Sequence, residues 1–322
     1  MGKTLSKEYF QPVGDLDIMT LDTLTFEEFL DAKGKRDLYD SIDLFGSSPH
    51  EDYDELKQYY DLYCQIGGYP AVVKTYLETK NLETCRMELD RVIHIFTEES
   101  QSYFDNVLDI NLFGQLLPAV AQTMIKEKKG SEDLISELSK IVYKQESSRL
   151  SKRTINQAIA WLYRSHILDF CGKANDCNPT DVSANSRFYF LDVGVCRSFL
   201  DMAGADLSSL RGIINENFVY IDLLKRVRAR KISGTAPMFG LYKEGEIDFL
   251  INSRENYKTY GVEVKAGKSE GKTAQLLLRD QKVEAVYFFK GDTYGGISDK
   301  KITVPIYLAG RVRFDFKNEQ DV

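Results

Sequence analysis

The chain has 322 residues, of which 43% are hydrophobic and 28% charged, an ordinary globular balance that excludes a disordered or fibrous polymer. Net charge is −7, which argues against a uniformly basic nucleic-acid binder, but the charge is unevenly spread. Residues 1–110 hold 10 Lys+Arg against 23 Asp+Glu, residues 111–210 hold 12 against 11, and residues 211–322 hold 20 against 15. An acidic front and a basic back imply different partners for the two ends, unless the charges merely solvate helices. The cysteines Cys64, Cys85, Cys171, Cys177 and Cys196 form no paired framework, so a disulfide scaffold is excluded and a reducing, cytoplasmic setting is expected. MGKTLSKEYF is not a signal peptide, and the apolar stretch 112–125 is broken by Gln115 and Gln122, so no membrane partner is expected.

Residues 1–24 read as a fragment with one short strand around 18–21. Gly2-Lys3-Thr4 copies only the end of a phosphate-binding loop and lacks the preceding glycines, so ATP hydrolysis by this chain is not expected. Thr25-Phe26-Glu27-Glu28 is a capping box, in which hydroxyl and carboxylate satisfy orphan amides at a helix start. Helices follow at about 51–65, 70–79, 82–103 and 111–127, with Gly67-Gly68 closing the first of these and Pro70 opening the next.

From 131 the rhythm changes. Ser131 is placed to cap a helix carrying Leu134, Leu138 and Ile141, and Ser151 a second one carrying Ile155, Ala158, Ile159 and Leu162 on one face. Lys152, Arg153, Asn156 and Gln157 then face outward. Two strand-like runs, 166–171 and 187–191, flank a Gly- and Asn-rich loop. Helix, turn, helix and hairpin is the order of a winged helix-turn-helix, whose second helix enters the major groove. Winged helices also serve as protein contacts, and both roles stay open here.

Residues 211–322 read as an α/β unit. A helix over about 213–230 ends in Lys225-Arg226-Val227-Arg228-Ala229-Arg230-Lys231, and strands are expected at 238–243, 246–251, 260–265, 285–290 and 302–308, with a helix near 272–282. The basic run either tracks a phosphate backbone, through Lys225, Arg226, Arg228 and Arg230, or complements the negative end of the helix. On regular strands Glu246 and Asp248 share one face and Ile247 and Phe249 the other, while Glu263 and Lys265 lie opposite Val262 and Val264. The polar stretch 252–258 allows the two strands to pair as a hairpin, which gathers Asp248, Glu263 and Lys265. Glu216 rides on the stripe of Tyr220, Leu223 and Val227 toward the same sheet. Clustered carboxylates repel unless a cation joins them, and Mg2+ or Mn2+ on Asp248 and Glu263 is the expected solution.

A helical Glu, an acidic-x-Asp strand and a Glu-x-Lys strand resemble the PD-(D/E)XK nuclease superfamily, matched here by Glu216, by Asp248 within EIDF, and by Glu263 and Lys265 within VEVKAG. The proline of the superfamily's name is missing; Glu246-Ile247 stands in its place. Together with Thr25–Leu30, Gly67-Gly68-Tyr69-Pro70, Phe188–Gly194 and Glu216–Val219, the pattern resembles a prokaryotic family of ATP-binding proteins. That family combines an AAA ATPase core, a helical and winged-helix middle, and a nuclease-like C-terminal domain of unknown function. The resemblance implies a remnant of an absent AAA core at 1–24, a helical domain at 25–130, a winged-helix-like domain at 131–210 and a nuclease-like domain at 211–322. The fold expected is therefore α+β and multi-domain, ending in a restriction-endonuclease-like α/β unit. Two functions follow from it: metal-dependent hydrolysis of nucleic acid, DNA foremost, with Glu216, Asp248, Glu263 and Lys265 as catalytic residues; or a non-catalytic DNA- or protein-binding module that works with an ATPase polypeptide supplied in trans.

Overall fold

The computed structural model describes residues 21–102, 112–126, 133–145, 151–230, 232, 236–253, 256–265 and 271–315. The expected strand around 18–21 and the Ser131 cap fall outside them, apart from Leu21. The described part is a mixed α/β fold in which helices cover an eight-stranded mixed sheet. Among the described residues no helix is long and apolar enough to cross a membrane.

The helices come first: α1 (Phe26–Ala32), α2 (Arg36–Ser41), α3 (His50–Ile66), α4 (Pro70–Thr79), α5 (Leu82–Ser102), α6 (Leu112–Lys126), α7 (Leu134–Gln145) and α8 (Lys152–Arg164). The capping box forms as the sequence predicts: Glu28 N–H donates to Thr25 Oγ1 at 3.2 Å and Thr25 N–H donates to Glu28 Oε2 at 2.7 Å. Ser151 caps α8 through the Thr154 amide, and at α7 Asp133 accepts from the Ser136 amide at 3.0 Å. Leu138 and Val142 on α7 and Ile155, Ala158, Ile159 and Leu162 on α8 are buried, whereas Lys152, Arg153, Asn156 and Gln157 are exposed, as the periodicity demands.

The rest alternates: β1 (Leu168–Ala174), β2 (Val182–Phe190), α9 (Val193–Met202), α10 (Leu207–Arg228), β3 (Met238–Tyr242), β4 (Gly245–Asn252), β5 (Thr259–Lys265), α11 (Lys272–Arg279), β6 (Val286–Lys290), β7 (Gly296–Ser298) and β8 (Lys301–Pro305). Their order across the sheet is β2-β1-β3-β4-β5-β6-β8-β7. The sheet crosses the expected border at 210/211, because the hairpin expected as a wing is its first edge: β1 pairs antiparallel with β2 and parallel with β3. The larger of two apolar cores likewise draws on residues from Phe26 to Phe314. The expected borders at 130/131 and 210/211 are therefore not breaks in packing.

Two short motifs prove to be joints between distant segments. Asp192 accepts from the amides of Gly194 at 2.9 Å and Val195 at 3.1 Å, capping α9, while its other oxygen accepts from the Gly68 amide at 2.8 Å. The glycines allow this approach. A Cβ on Gly67 would stand 2.2 Å from Asp192 Oδ1, and one on Gly68 would stand 2.1 Å from the Leu24 carbonyl oxygen. Asn217 of α10 then takes both the amide and the carbonyl of Phe190, at 3.0 and 2.9 Å. Buried amides and carbonyls at the end of β2 are thereby satisfied, and α10 is locked in place over the sheet.

The strand expected at 302–308 ends at Pro305 and turns into a 3-10 segment, Ile306–Arg311. This segment corrects the reading of the basic run. Lys225 and Arg226 are buried; Lys225 Nζ donates to the Thr23 carbonyl at 2.6 Å, and Arg226 donates to the Ala309 carbonyl at 2.9 Å and to that of Val312. Both satisfy backbone carbonyls inside the fold and are not available to a phosphate. Arg228 pairs with Asp169 at 2.9 Å, and Arg230 is exposed.

Candidate active site

The site begins with an irregularity in β4. Met238 of β3 pairs with Leu250, but Gly240 pairs with Ile247, so Asp248 and Phe249 together oppose the single residue Phe239. This is a β-bulge, and it undoes the alternation expected for the strand. Ile247 and Leu250 both enter the core that includes Ala274 and Leu277 of α11, whereas Phe249 and Ile251 enter the core beneath α10. Ile247 and Phe249 thus lie on opposite faces, a correction to the regular-strand reading. The crowding of Ile247 and Leu250 on one face explains Gly240, where a Cβ would meet their side chains at 2.7 and 3.0 Å.

Because of the bulge, the Asp248 carboxylate turns into the seam with β5, where Oδ2 accepts from the Val264 amide at 2.6 Å. The pairing Phe249↔Val262, continued one step, sets Asp248 opposite Glu263. Glu263 and Lys265 project together, with Lys265 Nζ 2.6 Å from Glu263 Oε1. Glu263 Oε2 is buried and has no hydrogen-bond partner among the described residues. Asp248 and Glu263 are only 7% and 3% exposed. The hairpin thus brings together the three residues that the sequence predicts.

Glu216, on α10, shares with Asp248 and Lys265 a cavity of about 480 Å³ whose polar lining is completed by Arg187, Tyr189, Ser209 and Glu246. Glu216 Oε1 accepts from the Tyr189 hydroxyl at 2.6 Å and from Arg187 at 3.2 Å. Arg187 also reaches Glu246 Oε2 at 3.4 Å, and its guanidinium lies 3.7 Å above the Phe239 ring. Tyr189 is fixed by stacking on Tyr220, with ring centroids 4.0 Å apart. Arg187, Tyr189 and Glu246 are absent from the site expected from sequence. The signal for Arg187 and Tyr189 was present in the odd positions of 187–191, but that strand read as a wing rather than as part of the sheet that carries Asp248.

The charges do not balance in this cavity. Burial, then Glu263 and Glu216, push the Asp248 carboxyl well above the usual carboxylate range, against the pull of Lys265 and the Val264 amide. Burial also raises Glu263, although Lys265 opposes it. Burial works to lower the Lys265 ammonium, but Asp248 and Glu263 outweigh it and the net direction is upward. At neutral pH the cluster therefore favours an additional positive charge near Asp248.

The residues fit a divalent ion on that ground. Asp248 needs a cation or a proton, and Glu263 offers a buried oxygen with no partner among the described residues. Among the described residues no group of three or more His, Cys, Asp or Glu side chains is arranged to hold a metal ion by itself. Two carboxylates with water completing the shell is nonetheless a common magnesium arrangement. Elsewhere, Cys171 and Cys177 belong to separate cores, and Trp161 is part-buried with its Nε1–H on Ser100.

One family model, described as a domain of unknown function (DUF8612), matches residues 57–206. No curated protein and no solved structure matches the chain. The matched stretch runs from within α3 to just past α9. It supplies Arg187 and Tyr189 to the cavity, while Glu216, Asp248, Glu263 and Lys265 lie beyond it.

Proposed function

We propose that the chain is a metal-dependent nuclease of the PD-(D/E)XK type. The observation that carries this reading is the cluster at the β4 bulge, where Asp248, Glu263 and Lys265 meet and one buried carboxylate oxygen has no partner among the described residues. Such a cluster costs stability, and groups arranged against stability in a cleft mark a functional site.

Asp248 and Glu263 would hold the ion. When bound, a divalent ion lowers the pKa of its water and stabilises charge on the phosphorane oxygens. The Val264 amide fixes one Asp248 oxygen and so aims the other. Lys265, a compact ammonium already hydrogen-bonded to Glu263, is suited to orient the attacking water or to neutralise the scissile phosphate. Glu216, held by Tyr189 and Arg187, is suited to order water on the opposite side. The exposed Lys152, Arg153, Asn156 and Gln157 of α8 support duplex contact by this helix, as in a helix-turn-helix protein, although its hairpin is built into the sheet.

The test is cleavage of single- and double-stranded DNA and of RNA in magnesium or manganese, comparing wild type with Lys265→Ala and Asp248→Ala. Metal-dependent cleavage lost in both variants is the expected result. No cleavage of any substrate by wild type would overturn the reading.

A further inference from the structure

We infer that the cavity takes an unpaired nucleic-acid strand and not intact duplex. This rests on the nuclease reading of its polar wall. Another part of the wall is of a different kind: Met124 and Ile125 of α6 and Ile213 of α10 are apolar, with Gly212 and the Ser209 hydroxyl beside them. A duplex presents phosphates and sugars outward, while its base faces are stacked on one another, so an apolar wall beside a phosphate site has nothing to meet. An unpaired strand carries a phosphate and an exposed apolar base face on each nucleotide, and matches both parts at once.

Burial points the same way. With Asp248 and Glu263 7% and 3% exposed, a phosphate must leave the surface to reach them. A single strand can follow it by rotating about its own torsions.

Gly212 supplies a separate observation. It lies inside α10, where glycine is destabilising relative to alanine, and it lines the cavity. A Cβ there would meet nothing within 4 Å, so no packing contact requires glycine. What its missing side chain preserves is room in the cavity.

The experiment uses the full chain and a fluorescein-labelled oligonucleotide of about 12 nucleotides, alone or annealed as a blunt duplex. Binding is read by anisotropy in calcium, and cleavage in manganese. Wild type is expected to bind the single strand about tenfold more tightly than the duplex. Gly212→Met, which fills the cavity without a clash at Cβ, is expected to lose about tenfold in single-strand affinity while melting no lower than wild type. Met124→Glu, on a different helix, is expected to show the same loss and decides the matter if Gly212→Met folds poorly. Equal or undetectable binding of the two forms, or well-folded variants that bind as wild type does, would overturn the inference. Duplex cleaved as fast as single strand would also overturn it, yet leave the nuclease reading standing. Single-strand binding that depends on Gly212, without any cleavage, would support the cavity's preference and overturn the nuclease reading instead.

Discussion

Two buried aspartates in this molecule are treated in opposite ways. Asp192 is surrounded by donors, with amides of Gly68, Gly194 and Val195 on its two oxygens and Lys225 nearby. Asp248 has one amide and Lys265, but also Glu263 and Glu216 as neighbours. Burial raises both carboxyls above the ordinary range. Only Asp248 has that rise compounded by neighbouring carboxylates. A buried acid with its oxygens occupied is a joint, whereas one placed beside other acids is left short of compensating charge.

The comparison can be broken most directly at the cluster. Lys265→Ala and Asp248→Asn are expected to lower metal-dependent cleavage by about 10²- to 10³-fold while leaving the circular-dichroism spectrum unchanged. Retained activity in both would make the cluster structural, as Asp192 is. At the joint, Asp192→Ala leaves three amides without an acceptor and should destabilise by about 3 kcal/mol in urea denaturation. A loss under about 1 kcal/mol would show that water replaces the carboxylate there.

A smaller effect separates exposed from buried cations. The double change Lys152→Ala and Arg153→Ala should weaken duplex binding about tenfold and reduce its salt slope by about two. Arg226→Ala should leave that slope unchanged and reduce stability. A matching loss of slope in Arg226→Ala would contradict its burial.

The smallest effect concerns pH and sharpens the contrast further. The folded pKa of Asp248 is raised above its unfolded value, so in metal-free protein stability is full below about pH 4 and falls as pH rises toward the folded pKa. Asp248→Asn removes that fall. It should match wild type near about pH 4 and exceed it by on the order of 1 kcal/mol at neutral pH, with magnesium narrowing the gap. Thermal melts across pH check this, and a variant less stable than wild type at neutral pH would contradict it.

Much of this was legible in the sequence. The capping box at Thr25, the exposed face of α8, and the meeting of Asp248, Glu263 and Lys265 follow from periodicity and hairpin logic. What was missed depends on long-range contacts. Lys225 and Arg226 read as a surface run because nothing local shows that Thr23 and the segment 306–312 close over them. Arg187 and Tyr189 enter the site only because β1 pairs with β3, a contact between segments more than sixty residues apart. The bulge was hidden for a simpler reason: alternation assumes one residue facing one, and in EIDF that count changes.

That change of count has a mutational consequence. Upstream of the bulge, even positions of β4 look to one side of the sheet; beyond it, they look to the other. Deleting Phe249 would restore an uninterrupted ladder with β3, with Ile247 and Leu250 keeping their face, but Asp248 would lose the bulge that turns it toward the Val264 amide. The site therefore depends on a length as much as on residue identities, and a one-codon deletion that spares every charged side chain should disable it.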